Sequence, residues 1–591
     1  MKKFLSKAAA YLLALAVIPG TGNLLPTSIP VKAEGITTVN VYDATTFGEM
    51  LKTENVEIVL WQDISYEGTD TVLCNSVNLN GYNLTCSNTL TLDSGKRTFS
   101  ILDSQYSSDS SNTATFSEGI NIDDGTLKIE SGVISVLRNT AKKVNPGIYG
   151  TGNVEFIGGN TTIKGGSDAV GSYGSTGKAG TNGFGGSSAY GTSGESGGRG
   201  GTGGKGYDGG DGIQVTNVTV YGGNVSASGG IGGTGGIGGT GGIGGTGGTN
   251  HYGGSGGNGG QGGTGGTGGT GGNGIQATNV IIYDGNISVT GGKGGTGGKG
   301  GNGGKGGKGG THYSATRSGL GGTGGIGGTG GIGGTGGNGI KATNVTIYGG
   351  YVSAKGNSYG SCGNGGTGGV GGEGGEHYYG TGEKGISGTV GNNGNSGIDG
   401  ASGGAGIHAN LTVEEGTVFA SGQKWSAGIG GTGNGQGIEG TDVTISGGTV
   451  TVAAGEKSFG IGGGFDGTKT GVAGKLTVTG GTLILSTSGR GTNAAFPSFA
   501  NCTVSGEGAL QYEGTYNADG KFTVSAVAFT TNPIVYECNE TVTLIAYFDV
   551  SRKTNITTPA PCGSVSFELD GEKIGTAPLT KTATEINGYI R

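Results

Sequence analysis

The feature that most restricts this chain is a glycine phase. From Gly229 to Thr249 the sequence runs as seven Gly-Gly-X triplets, breaks at Asn250-His251-Tyr252, and resumes as seven more triplets from Gly253 to Asn273. A second strict block has seven triplets from Gly291 to Thr311, a break from His312 to Leu320, and six triplets from Gly321 to Asn338. Two looser blocks flank these. One has Gly at every third position over Gly171–Gly183 and Gly191–Gly212, the other over Gly382–Gly406. In all four the phase runs unbroken into a Gly-Ile dipeptide. These blocks explain why 151 of 591 residues are Gly, about a quarter against an average near 7%.

Three structures compete for such blocks. A flexible linker tolerates the composition, but it needs neither a three-residue phase, nor arms of matched length, nor Ile at X positions such as Ile231, Ile237 and Ile243. A collagen triple helix wants Pro, and none occurs between Pro146 and Pro497. The third is a bundle of polyglycine-II helices, each insertion being a hairpin of two antiparallel arms. A helix of three residues per turn has no internal hydrogen bonds, so its N–H and C=O groups point outward. Gly-Gly-X leaves two rows bare, which lets neighbours approach and bond, with weak Cα–H···O contacts helping. Ordering Gly is costly in entropy, so one arm alone is insufficient while eight packed arms share the cost. At about 3.1 Å per residue, an arm of 21 residues reaches roughly 65 Å.

Between the blocks lie copies of a second repeat. Gly212 opens GIQVTNVTVYGGNVSASGG, Gly274 opens GIQATNVIIYDGNISVTGG, and Gly339 opens GIKATNVTIYGGYVSAKGN. Weaker copies start at Gly119, Gly406 and Gly437. Within one copy Ile213/Val215, Val218/Val220 and Val225/Ala227 alternate with polar residues, predicting three short strands with turns at Thr216-Asn217 and Gly222-Gly223-Asn224. Three strands cannot bury a core alone, but copies stacked about 4.8 Å apart can. Stacking aligns Asn217, Asn279 and Asn344 in one ladder and Tyr221, Tyr283 and Tyr348 in another.

This pattern resembles the right-handed parallel β-helix domains of bacterial surface and pectin-lyase-like proteins. The resemblance covers the repeat copies and, loosely, the segment from Val39 to Val136, which opens with a predicted helix over Thr45–Thr53 behind Asp43 as N-cap. The Gly-Gly-X texture of residues 165–405 is similar to that of snow-flea antifreeze proteins and of the glycine-rich adhesins on some phage tail fibres. After about Val527 the composition changes. Glu540–Phe548 alternates as a strand, and Gly563–Leu579 reads as two strands around Asp570-Gly571. That segment resembles bacterial immunoglobulin-like modules and is expected to be a partial, truncated β-sandwich.

The expected class is therefore all-β: an export signal over 1–33, an N-terminal cap and first β-helix coils over 34–164, coils alternating with glycine hairpins over 165–405, further coils over 406–527, and the partial module over 528–591. The signal rests on Lys2, Lys3 and Lys7, an apolar core over Ala8–Ile18, and Val31-Lys32-Ala33 before the expected cleavage. The apolar run falls short of the roughly 20 residues a membrane span needs. Export would permit disulfides between Cys74 and Cys86 and between Cys538 and Cys562, although sequence does not establish the pairing.

Chemistry-bearing residues collect at the hairpin tips: Phe184 and Tyr190, then His251 and Tyr252, then His312, Tyr313 and Arg317, then His377, Tyr378 and Tyr379. Three of the four His precede a Tyr there. Aromatic faces beside imidazole and Arg suit sugar stacking or protein contact; closing the turn is the plainer role for the same residues. A metal on His251, His312 and His377 would need the tips to converge, and no ligand spacing supports one, so no metal or cofactor is assigned. A β-helix lyase or hydrolase would need clustered carboxylates. Asp123-Asp124 and Glu414-Glu415 are the candidates, and aligning the copies puts both at the turn held elsewhere by Tyr221-Gly222. Lys293, Lys299, Lys305 and Lys308 form a basic stripe on one arm, read as a solvated edge. A net charge of −7 argues against nucleic acid as partner. The expected function is that of a secreted or cell-surface, adhesin-like protein, without enzymatic activity, whose tips meet a glycan or a host or cell-surface protein, with cell-wall association possible. A polysaccharide-degrading enzyme is the alternative, and ice binding through rows such as Thr264, Thr267 and Thr270 a lesser one.

Overall fold

The computed structural model describes residues 35–92, 95, 97–138, 145–167, 170–175, 178, 191–250, 252–313, 318–378, 383–432, 442–456, 458–462 and 473–486, with short strands beyond 490. The expected export signal and the strand over Glu540–Phe548 lie outside the described residues. The chain divides into two units, 1–37 and 38–591, and the second carries the features below.

Near its start stands the helix Ala44–Leu51, with Asp43 in extended conformation accepting the Thr46 N–H at 2.8 Å. The side chain satisfies one of the donors that a first turn leaves open, and Phe47 and Leu51 enter the core. Otherwise the architecture is nearly all β, with two long sheets of 21 and 12 strands. Their pairings through the repeat region are parallel, the arrangement of a parallel β-helix. One copy gives Ile213–Gln214, Asn217–Val220 and Asn224–Ser228, and in the next the first two merge into Ile275–Ile282, followed by Asn286–Thr290.

Register explains the repeat. Leu90, Ile120, Ile148, Ile213, Ile275, Ile340, Ile407, Ile429 and Ile461 stack in one column, all of them buried. Columns through Val218, Val220 and Val225 follow the same rule. A slip of one residue would turn each column outward. From the coil of Ile120 to that of Ile461 the second turn holds a glycine at positive φ, including Gly223, Gly285, Gly350 and Gly416 at 82°, 108°, 78° and 92°, where other residues are strained. The expected Asn ladder forms and is longer than predicted. Asn217, Asn279, Asn344 and Asn410 each donate from Nδ2 to Oδ1 of the Asn one level back, at 2.7, 2.9, 3.1 and 3.3 Å, beginning on Asn153. The Tyr column forms as well, with rings of Tyr221, Tyr283 and Tyr348 nearly parallel and centroids 5.1 and 5.0 Å apart.

The glycine segments leave the trunk after the last strand of a coil and return at the next Ile. Their hydrogen bonds run in two directions. Within the outgoing set, Gly232, Gly235 and Gly238 donate to the carbonyls of Lys293, Thr296 and Lys299 in the next insertion. Within the returning set, Gly259, Gly262 and Gly265 donate likewise to Thr323, Ile326 and Thr329. The second Gly of a triplet bonds across: Gly260, Gly263 and Gly266 donate to Gly242, Gly239 and Gly236. The arms thus form two layers, parallel within a layer and antiparallel between layers. A Cβ on Gly262 or Gly263 would collide with the carbonyl of Gly301 or Gly201, so both bare rows are obligatory inside.

At the margins the rule relaxes. Ser172, Ser175 and Lys178 fill the second triplet position of the first outgoing arm, which has no arm before it. Ser387, Val390, Asn393, Ser396 and Asp399 fill the first position of the last returning arm, which has none after it.

Two expectations are corrected. Cys74 and Cys86 are free thiols buried in the core, not a disulfide. Asp123-Asp124 sits at the first turn of its coil, between Ile120–Ile122 and Thr126–Ile129. Glu130 holds the position equivalent to Tyr221, because Ile129 aligns with Phe156 and Phe156 with Val220. Glu414 does occupy the Tyr348 position, its N–H meeting Ile347 as that of Tyr348 meets Ile282. Toward the end, Gly514–Tyr516 and Phe522–Val524 pair antiparallel, as do Ser564–Leu569 and Glu572–Pro578.

Candidate functional site

Because the arms are locked in register, their far ends arrive together. Asn250 bridges His312 and His312 bridges His377, both in parallel sense, so three insertions end at one level. His312 N–H donates to the carbonyl of Glu376 at 3.2 Å, and Tyr378 N–H to the carbonyl of His312 at 3.1 Å. The His312 ring is buried, edge-on to Tyr252 at 6.1 Å and 5.2 Å from His377. Beside this row, Tyr313 and Tyr378 approach to 5.2 Å. Tyr252, Tyr313 and Tyr378 keep 45%, 43% and 62% of their surface exposed. Amphipathic rings that remain half wet suit recognition. Lys308 spans to Glu376 at 3.1 Å, and this partner holds the Glu376 carboxyl below its usual range.

Phe184, Tyr190, His251, Arg317 and Tyr379 lie outside the described residues. Tyr252, His312, Tyr313, His377 and Tyr378 come together at one end of the arms, Tyr252, His312 and His377 in one row and Tyr313 and Tyr378 paired beside it. Among the described residues no group of three or more His, Cys, Asp or Glu is placed to hold a metal ion, and no helix is long and apolar enough to cross a membrane. Lys293, Lys299 and Lys305 are exposed in a row beside the Ile231, Ile237 and Ile243 row, while Lys308 is engaged with Glu376.

Sequence reasoning missed three features. Asn153 and Asn410 extend the Asn ladder, and the first was visible in Asn153-Val154 repeating Asn217-Val218. The side chains of Asn393 and Asp399 accept from the N–H groups of Gly368 and Cys362 at 2.9 Å each. A cluster of Tyr359, Lys424 and Trp425 at the arm base had no sequence signal, Tyr359 lying 65 residues from Lys424.

No protein family matches this chain, and no curated protein matches it. Among solved structures it is similar to a springtail antifreeze protein from Granisotoma rainieri, described as a nine polyproline type II helical bundle. The identity is 22%, over 39% of this chain and 93% of that one, with a TM-score of 0.08. A likeness at that score carries no argument.

Proposed function

We propose that this is a secreted or cell-surface binding protein of adhesin type. A right-handed β-helix forms its trunk, polyglycine-II arms form a stiff two-layered slab, and the aromatic row at the arm ends meets a glycan or a protein. The observation that supports this reading is the register of the tips: three separate insertions bring Tyr252, Tyr313 and Tyr378 to one end, half exposed, around a buried imidazole. The two-directional bonding of the arms supports a slab stiff enough to hold that row away from the trunk. The test is substitution of Tyr252, Tyr313 and Tyr378 by Ala together, with binding read on a glycan array and on host cells. Loss of binding with an unchanged melting curve supports the tip assignment, and full retention rejects it.

Ice binding is a second reading, favoured by one observation. Thr202, Thr264 and Thr329 lie level across three returning arms, with the Thr264 hydroxyl donating to that of Thr202 at 3.0 Å. Thermal hysteresis decides it, and its absence ends the reading.

A further inference from the structure

At the base of the last insertion, far from the tips, lies a cluster that the tip reading does not use. Tyr359 stands on the outgoing arm close to the trunk. Lys424 and Trp425 stand on the connection between the strands Thr417–Ser421 and Ile429–Gly430. The Tyr359 and Trp425 rings are within 9° of parallel, with centroids 6.2 Å apart. Lys424 joins them: its Nζ donates to the Tyr359 hydroxyl at 3.1 Å and lies 5.4 and 4.9 Å from the two ring centroids. All three side chains are half-buried.

The cluster is held at a conformational cost. Trp425 has φ 67°, a left-handed conformation that a bulky residue rarely adopts. Its indole N–H is buried and meets no acceptor among the described residues, which carries a desolvation cost of its own. Neighbouring backbone bonds fix the strained loop: Trp425 N–H donates to Glu456 at 3.0 Å, Gly403 N–H to Lys424 at 3.0 Å, and Ser426 N–H to Gln423 at 2.8 Å. Strain of this kind, maintained by its surroundings, collects at ligand clamps. A trunk needing only to continue its coil would have no use for the chain's second Trp at this place.

The chemistry selects the ligand. Two parallel aromatic rings offer apolar area to the C–H face of a sugar ring. Around them stand an ammonium, a phenol and two acidic residues: Asp399, whose carboxylate accepts the N–H of Cys362 one triplet along from Tyr359 at 2.9 Å, and Glu456, whose backbone carbonyl accepts the Trp425 N–H at 3.0 Å. Those groups donate to and accept from hydroxyls, with the strength of charge-assisted bonds. One ammonium against two carboxylates leaves an anionic rim, which disfavours uronates and sulfated sugars. We infer that Tyr359, Lys424 and Trp425 form a binding site for a neutral saccharide, separate from the tips.

The test uses the full chain carrying Trp61→Phe, which leaves Trp425 as the sole indole reporter. Neutral gluco-, manno- and N-acetylglucosamine oligosaccharides are titrated against its emission, with an oligogalacturonate as the anionic comparison. The expected result is a saturable change with at least one neutral probe and none with the oligogalacturonate. Lys424→Met and Tyr359→Ala should each weaken it about tenfold or more. Tyr359→Phe, which keeps the ring and removes the hydroxyl, provides a milder variant, and circular dichroism checks that each protein is folded. Absence of a response to every neutral probe, an equal response to the oligogalacturonate, or unchanged affinity in folded variants would overturn the site. The triple tip variant should keep the Trp425 response. Loss of the response in that folded variant would place the sugar at the tips and refute this inference, whereas failure of the tip reading alone leaves the response intact.

Discussion

Asn393, on the last returning arm, turns its side chain back onto the arm before it and accepts the N–H of Gly368 at 2.9 Å. Asp399 does the same for Cys362. Inside the slab, equivalent donors find the carbonyl of the following arm. The last outgoing arm has no further outgoing arm beside it, and at Gly368 and Cys362 side-chain oxygens take over that role. Open edges invite further pairing, so this margin is closed by chemistry as well as by position. Replacing Asn393 and Asp399 together by Ala is expected to destabilise the slab by about 1–3 kcal/mol and to induce concentration-dependent association. Size-exclusion chromatography over a dilution series checks it; a monomeric, equally stable variant would refute the capping role.

The two kinds of triplet position should differ in how much substitution by Ala costs. Gly263→Ala sets a Cβ against the carbonyl of Gly201, and overpacking of this sort costs roughly 1–3 kcal/mol or more. Thr264→Ala, one residue on, removes an outward side chain and is expected to cost about 0.5 kcal/mol. Paired thermal melts of the two variants measure the difference.

Asn279 both donates to Asn217 and accepts from Asn344. Asn279→Ala removes two rungs and leaves polar partners on each side, an expected loss of about 1–3 kcal/mol. Hydrogen exchange should show the opening centred on Asn217–Val220 and Ile340–Ile347. Protection unchanged in both strands would contradict the ladder's role.

His408, in the strand Ile407–Val413, faces Gly430, whose carbonyl lies 2.9 Å from Nδ1. Burial, with Lys341 adding to it, pushes its pKa down to about 4 from 6.5. The folded state therefore prefers the neutral ring. Its contribution is complete above pH 6.5 and is lost as pH falls through about 4. The expected loss is on the order of 3 kcal/mol, visible as a falling melting temperature across that window and flattened in His408→Gln.

Burial pushes the thiols of Cys74 and Cys86 up to about 12 from 9.0. A raised thiol pKa favours the folded state below pH 9, and that advantage disappears as pH rises toward 12. Neither thiol should react with a disulfide reagent at pH 8 until the protein unfolds, because the thiolate is the reactive form. Rapid native labelling of both would contradict the burial.

Much of the trunk was legible because a parallel stack repeats each contact at every level. One copy, Gly212 to Gly230, predicts the Ile column, the Asn and Tyr ladders and both turns. The tip residues were legible as breaks in composition. What escaped depends on neighbours far apart in sequence at unequal offsets. Thr264 meets Thr202 at a distance of 62 residues, and Thr323 meets Asn258 at 65. Without the order of arms, Ser172 and Asn393 read merely as a looser phase rather than as the two margins. Asp123-Asp124 is misleading in sequence because Ile122-Asp123-Asp124-Gly125-Thr126 resembles Val413-Glu414-Glu415-Gly416-Thr417, and matching by that local pattern takes the first turn of one coil for the second turn of another. The buried thiols escaped for a different reason: Cys74 and Cys86 fill core positions as small apolar groups, and spacing alone does not distinguish that from a bridge.

Every glycine segment departs from the same corner of the coil and rejoins at the same Ile. Duplicating one such unit would lengthen the trunk by a single level while widening the slab by two arms, with no older contact redrawn. Adding triplets in matched pairs would instead extend the reach and leave the trunk untouched. Height and span can thus be varied separately by inheritance, as in a comb whose teeth and spine are cut by different tools.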